Sequence, residues 1–144
     1  MNPSIEIHQL DPKKPAEREA LTSFYGRCGY RGEVLDSDRV LVATSGCTLV
    51  GAVRACEEEG RLVLRGLFVC PLQRGRGIGR ELLAAWTERF GDHEALCLPL
   101  ARYEPMYRRA GFVRVEPAAL PPHLALRLEA YRSRGHSTIA MRRA

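Results

Sequence analysis

No run of apolar residues in this 144-residue chain approaches the roughly 20 that a membrane-spanning helix needs. The first ten residues carry no apolar block of the kind a secretory leader requires, so a cytoplasmic location is expected. There is no Cys-x-x-Cys pair. Cys28, Cys47, Cys56, Cys70 and Cys97 are odd in number and do not cluster with His8, His93, His123 or His136. That spacing suggests neither a metal set nor a disulfide framework, and free thiols packed in or near the core are expected. No internal repeats, linkers or low-complexity tracts divide the chain, so residues 1–144 are read as one domain, long enough to bury a core without staples. Nor is there a basic recognition motif. The 22 basic and 17 acidic residues leave +5, but the basic ones are mostly arginines dispersed along the chain without interleaved aromatics, so specific nucleic-acid binding is not expected.

What is present is Arg74-Gly75-Arg76-Gly77-Ile78-Gly79, set between an apolar run from Leu62 to Val69 and an amphipathic stretch from Ile78 to Phe90. The run reads as a buried strand. In the stretch, Ile78, Leu82, Leu83, Trp86 and Phe90 share one helical face, and Gly91 supplies a stop. A glycine-rich turn at a helix mouth leaves backbone N–H groups open and aligned with the helix dipole, a geometry suited to a phosphate or pyrophosphate. Arg74, Arg76 and Arg80 add full positive charges around it. The turn is not a P-loop, because Arg80 and Glu81 follow Gly79 where Lys-Ser or Lys-Thr would be needed. It is not a dinucleotide fingerprint either, because its glycines fall at 75, 77 and 79 in mid-chain. The competing reading is a tight strand-to-helix connection with solvated arginines.

Along the rest of the chain, Ile5 to Leu10 alternates as a first strand, and Pro15 to Cys28 reads as a helix with Ala20, Leu21, Phe24 and Tyr25 available for its apolar face. Tyr30 to Asp38 suggests a loop or short helix. Two hairpins follow: Val40–Ala43 with Thr48–Arg54 about a Thr44-Ser45-Gly46 turn, then a Glu57-Glu58-Glu59-Gly60 turn into Arg61–Val69. Gly66, alone among bulky strand residues, marks a bulge or a close backbone approach. Ala95–Leu98 reads as a buried strand, Tyr103–Ala110 as a short helix stopped by Gly111, and Phe112–Val115 as strand again. The tail holds a helix with Leu124, Leu128 and Tyr131 on one face and a last strand over Ser137–Met141.

Arg74-x-x-Gly77-x-Gly79, preceded by Leu67-Phe68-Val69-Cys70-Pro71 and followed by Arg80-Glu81-Leu82-Leu83, resembles the coenzyme A pyrophosphate motif of the GNAT superfamily of N-acetyltransferases. Tyr107-Arg108-Arg109-Ala110-Gly111-Phe112 resembles the family's Y-x-x-x-G-F signature, with two departures: Leu100 where asparagine is common, and Pro105 where a helix former is usual. The resemblance implies an α/β (α+β) GNAT fold, a mixed but mostly antiparallel sheet of about six or seven strands flanked by helices. It implies acetyl-CoA as donor, with no metal. The cofactor would meet Arg74, Gly75, Arg76, Gly77, Ile78, Gly79 and Arg80 at the turn, and the backbone of Leu67, Phe68 and Val69 at the bulged strand. Tyr107 would be the general acid, while Tyr25, Tyr30 and Arg65 would face the acceptor. The Pro121–Gly135 helical insert, between the last two strands, would shape the acceptor side.

The acceptor implied is a primary amine of a small molecule. A protein or peptide N-acetyltransferase and a non-catalytic acyl-CoA-binding regulatory domain are the alternatives, and a homodimer is left open. Glu33 and Asp36, or Glu57, Glu58 and Glu59, are candidate bases. The glutamate run is otherwise expected to be a solvated face, His123 and His136 are expected at the surface, and Cys70 and Cys97 are expected to be packing residues.

Overall fold

The computed structural model describes residues 4–144; the first three residues of the N-terminal reading lie outside it. In chain order the elements are strand β1 (Ile5–Leu10), helix α1 (Pro15–Arg27), strands β2 (Arg39–Ser45), β3 (Thr48–Glu58) and β4 (Arg61–Val69), helix α2 (Ile78–Phe90), strand β5 (Ala95–Cys97), helix α3 (Glu104–Arg109), strand β6 (Val113–Arg114), helix α4 (Pro122–Ser133) and strand β7 (Met141–Arg143). The seven strands form one sheet in the order β1-β2-β3-β4-β5-β7-β6. Every neighbouring pair is antiparallel except β4 and β5.

Strand alternation sorts the apolar side chains onto two faces. Leu41, Ala43, Val53, Ala55, Leu64, Ala95 and Cys97 point to one side, where the five α2 residues of the apolar stripe cover them together with Tyr107 and Phe112. On the other side Val40, Val42 and Ala52 meet Leu21, Phe24 and Tyr25 of α1, and Val63 and Leu96 meet Leu124 and Leu128 of α4. The sheet is therefore buried on both faces, by α2 on one and by α1 and α4 on the other. Arg143 of β7 ties two helix ends together: its Nε donates to the Ala110 carbonyl at 2.9 Å and its Nη1 to the Gly91 carbonyl at 2.8 Å. Those carbonyls close α3 and α2 and have no partner within their own helices.

Residues 30–38 form a loop, the first of the two readings of that stretch. Other elements depart from sequence expectation. Ala20 is exposed, leaving Leu21, Phe24 and Tyr25 as the packed face of α1. β3 runs on through Glu57 and Glu58, so the turn is only Glu59-Gly60, with Glu59 at φ 52 and Gly60 at φ 77. The last strand is Met141–Arg143 rather than Ser137–Met141. Residues 137–139 do run beside β5's continuation, through Ile139 N–H to Pro99 carbonyl at 2.9 Å and Ala101 N–H to Ser137 carbonyl at 2.7 Å. Pro99 has no N–H to return, so only an isolated Leu100–Thr138 bridge forms there. Pro105 does not delay α3, because it falls in the first turn, where a helix uses no proline N–H.

Candidate active site

β4 pairs with β5 only over Leu62–Leu64 and Ala95–Cys97. Beyond Leu64 it continues to Val69 with no strand on its β5 side, while the chain after Cys97 turns away at Pro99. This divergence opens backbone groups of the second half of β4. On its other side β4 carries the bulge expected at Gly66: Ala52 pairs with Phe68 and Arg54 with Arg65, so Gly66 and Leu67 stand opposite Val53 alone. Gly66 sits at φ 64, a left-handed conformation that glycine adopts without steric cost.

Immediately after β4, a short turn of helix over Pro71–Gln73 leads into the glycine turn. Gly75 and Gly77 have φ values of 86 and 76. Gly77 is the N-cap of α2, and no side chain caps the helix. The first intrahelical bond runs from Glu81 N–H to the Gly77 carbonyl at 3.0 Å, so the N–H groups of Ile78, Gly79 and Arg80 open the helix without intrahelical acceptors. A Cβ added at Gly75 would meet nothing within 4 Å, and one at Gly77 would lie 3.2 Å from Arg80 Nη2, so the turn is open beside Gly75 with the Arg80 guanidinium next to Gly77. Arg74 and Arg80 are exposed and enter no ion pair among the described residues. Arg76 donates to the Gln73 side-chain oxygen. Cationic side chains, an uncapped dipole and two left-handed glycines together fit an extended polyanion such as the diphosphate of coenzyme A. Among the described residues no group of three or more His, Cys, Asp or Glu side chains is placed to hold a metal ion.

α3 packs against the same mouth. A Cβ at Gly79 would lie 3.5 Å from Met106 Sδ and 3.8 Å from Val69 Cγ2, so the end of β4, the start of α2 and α3 converge there. Tyr107, the next residue, is buried at 5% exposure, with its ring edge-on to Phe112 at 5.7 Å. Burial, followed by the neighbouring Cys97 and Tyr103, pushes its phenol well above the usual range, so the hydroxyl keeps its proton.

The residues expected toward the acceptor have different surroundings. Tyr25 is sealed at 2% exposure, and its hydroxyl donates to the Gly66 carbonyl at 2.8 Å. It supports the bulge from behind and offers no free face to a substrate. Tyr30 is half-buried, its oxygen accepting from Arg54 Nη2 at 2.6 Å, with its ring 4.7 Å from Phe68. Arg65 is half-buried with Nη1 3.5 Å from Glu58.

Glu58 corrects the expectation of a solvated glutamate run. Its side chain is 15% exposed, and it faces Arg65, Arg127 Nη1 at 2.9 Å and His123 Nε2 at 3.0 Å. His123 is likewise half-buried rather than at the surface. Its Nδ1 lies 2.7 Å from Glu59 Oε2 without forming a hydrogen bond. Glu57 and Glu59 conform better: Glu57 is exposed and the Glu59 side chain is 70% exposed. Sequence reading missed the Asp38–Arg54 pair, in which both side chains are buried and Nη1 lies 2.8 Å from Oδ2. The available signal was a lone arginine inside the continuously apolar stretch from Leu49 to Cys56. A polar cleft of about 420 Å³ at the β1–β2 edge, lined by Asp11, Lys14, Asp36 and Arg39 among others, includes none of the glycine-turn residues. No helix among the described residues is long and apolar enough to cross a membrane.

The sequence matches the family model described as "Acetyltransferase (GNAT) domain" over residues 36–114. The fold is similar to that of Escherichia coli ElaA, with a TM-score of 0.69 and 18% identity over 98% of this chain and 100% of that one. An acyl-CoA N-acyltransferase from Pseudomonas aeruginosa is similar at 0.68 and 23% identity, over 98% and 100% of the two chains. The N-acetylglutamate synthase of Neisseria gonorrhoeae, solved with coenzyme A and N-acetyl-glutamate, is similar at 0.67 and 18% identity over 97% of this chain. This chain spans 35% of that synthase's length. No curated protein matches the sequence.

Proposed function

The chain belongs to the GNAT acetyltransferases, a family with an acyl-CoA-dependent acyltransferase fold, and we propose that it transfers the acetyl group of acetyl-CoA to a primary amine of a small molecule by direct attack. The observation that carries the reading is the glycine turn. Gly75 and Gly77 are left-handed, α2 is uncapped, and the turn opens where β4 and β5 part. When bound, the cofactor supplies an activated acyl thioester.

The chain's own residues then divide the work. The N–H groups at the start of α2, with Arg74, Arg76 and Arg80, hold the diphosphate and so fix the distant thioester. Backbone groups of Leu67, Phe68 and Val69, unpaired on the β5 side, hold the pantetheine arm and the acyl oxygen. Tyr107 holds a proton at Oη for the departing sulfur. Tyr30 and Arg65 lie on the acceptor side, with α4 as its wall.

The test is a turnover screen of acetyl-CoA against small amines, amino acids and short peptides, alongside calorimetry with coenzyme A. Turnover of small amines supports the proposal. Turnover of peptides alone would move the acceptor to a protein, and coenzyme A binding without turnover of any acceptor would point to a regulatory acyl-CoA-binding domain. Failure to bind coenzyme A would remove the reading altogether.

A further inference from the structure

Arg54 is a guanidinium with 0% exposure, and both of its terminal nitrogens are committed. Nη1 donates to the Glu33 carbonyl and to Asp38 Oδ2, both at 2.8 Å, and Nη2 donates to Tyr30 Oη at 2.6 Å. The guanidinium carbon lies 5.5 Å from the Tyr25 ring centre and 5.7 Å from that of Tyr30, whose rings meet edge to face at 4.8 Å. Nε is buried with no hydrogen-bond partner among the described residues. It faces the bulge: a Cβ built on Gly66 would lie 3.1 Å from Nε and 2.5 Å from the Tyr25 hydroxyl.

A buried ion pair is an inefficient way to gain stability, because apolar packing of the same volume does as well or better. What a guanidinium does supply is a planar fork that fixes several acceptors at once. Here those acceptors are the 30–38 loop, through Glu33 and Asp38, and the Tyr30 phenol. The adjoining Tyr25 holds the Gly66 carbonyl at 2.8 Å. Turning that carbonyl inward sets the peptide plane between Gly66 and Leu67, and therefore the direction of the Leu67 N–H. Tyr30 stacks on Phe68, the next residue along.

We propose that Arg54 is a positioning residue for acyl transfer: with Tyr25 and Tyr30 it clamps the Gly66 bulge from the buried side and so orients the β4 backbone that meets the acyl group. The inference rests on the acyltransferase reading above and assigns Arg54 no contact with substrate. If Arg54 only tied β3 to the loop, its loss would lower stability without altering the balance between binding and chemistry.

Two variants separate these roles. Tyr25→Phe keeps the ring and removes only the hydroxyl that holds Gly66. Arg54→Lys keeps the charge opposite Asp38 but cannot reach Glu33, Asp38 and Tyr30 together. In both, amide hydrogen exchange at Arg65 and Phe68, whose pairing with β3 brackets the bulge, is expected to speed by at least tenfold, with the protection of Val40–Val42 and α2 unchanged. The kcat is expected to fall by tenfold or more, with acetyl-CoA KM and coenzyme A affinity within twofold of the parent. Parent-like exchange at the bulge, or parent-like kcat, in a folded Tyr25→Phe protein overturns the proposal. Should Arg54→Lys fail to fold, Tyr25→Phe decides alone. If the parent protein turns over no acyl-CoA, the acyltransferase reading fails by that result, and the exchange measurement still decides whether the clamp exists.

Discussion

The indole N–H of Trp86 donates to the carbonyl of Arg54 at 3.1 Å. The helix that begins at the glycine turn is thus fastened, through the sheet, to the backbone of the residue whose side chain supports the bulge on the opposite face. Trp86 is fully buried, so Trp86→Phe leaves both a partial cavity and a buried carbonyl without its donor. A loss of about 2–4 kcal/mol is expected. A shift in the denaturant midpoint at constant slope would report it, and an unchanged midpoint would show that this bond carries no net stability.

At the turn, Gly77→Asp should separate binding from folding. A side chain at Gly77, φ 76, is strained, but aspartate tolerates the left-handed conformation better than most residues, so α2 should persist at some cost in stability. Its carboxylate would stand where an anion approaches, beside Arg80 Nη2, which lies 3.2 Å from the Cβ position. Coenzyme A affinity should fall more than tenfold, at least ~1.4 kcal/mol, while the protein still folds, with a thermal midpoint lowered by the strain at φ 76. Calorimetry showing parent affinity would make the turn a purely structural connection.

Tyr107→Phe tests the general acid. Burial holds the phenol well above its usual range, so no alkaline decline in kcat below about pH 10 should come from it. Removing the hydroxyl should lower kcat by roughly tenfold to a thousandfold with little change in acetyl-CoA binding. Parent-like turnover where chemistry limits the rate would leave Tyr107 as a core ring against Phe112.

Alkaline stability follows from the same burial. Desolvation raises the Cys97 thiol well above its usual value and pushes the Cys56 thiol up to about 12. Tyr107 is raised for the same first reason. In the unfolded chain such groups release protons near about 8.5 for thiols and 10 for phenols. Above those values the native state binds more protons than the unfolded state, so stability declines as pH rises. The contribution is complete below about pH 8 and is lost on the alkaline side. Cys97→Ala removes one contributor, and its thermal midpoint should fall less steeply than the parent's between about pH 8 and 10. Equal slopes would show that Cys97 does not hold its proton.

The strand–turn–helix unit was legible because each link has a local signature: an apolar run, alternating glycines and a helical stripe of five residues, all five of which are buried. Gly66 was legible as a bulge for a similar reason, since a residue without a side chain is conspicuous among bulky ones. The Glu58 hub was not. Its partners Arg65, His123 and Arg127 lie on two other elements, and only the docking of α4 against β3 and β4 brings them together. Tyr25 could be read as an aromatic near the site, but not as a hydroxyl committed to a backbone carbonyl 41 residues away. The last strand slipped because its limit is set by Pro99 on a different segment.

The Glu58 hub also bears on α4. His123 and Arg127 are one turn apart and face the same carboxylate, so together with the Leu124–Leu128 stripe they fix how the helix lies on the sheet. Arg127→Ala should raise acceptor KM more than acetyl-CoA KM, about threefold or more against less than twofold, because the helix wall shifts while the glycine turn is untouched. A larger effect on acetyl-CoA would put α4 on the cofactor side.

β7 lies between β5 and β6 in the sheet yet follows both in the chain. β6 therefore has no place to dock until a segment more than 25 residues later has paired with β5, and Arg143 on that segment supplies the bonds that close α2 and α3. During synthesis β2 to β4 can assemble by local hairpins and β1 can join them across the α1 connection, whereas the half of the sheet beyond β5 must wait. Until then β5 is an unprotected edge, so the stage at which this chain is most prone to pair with another copy of itself falls late in its assembly.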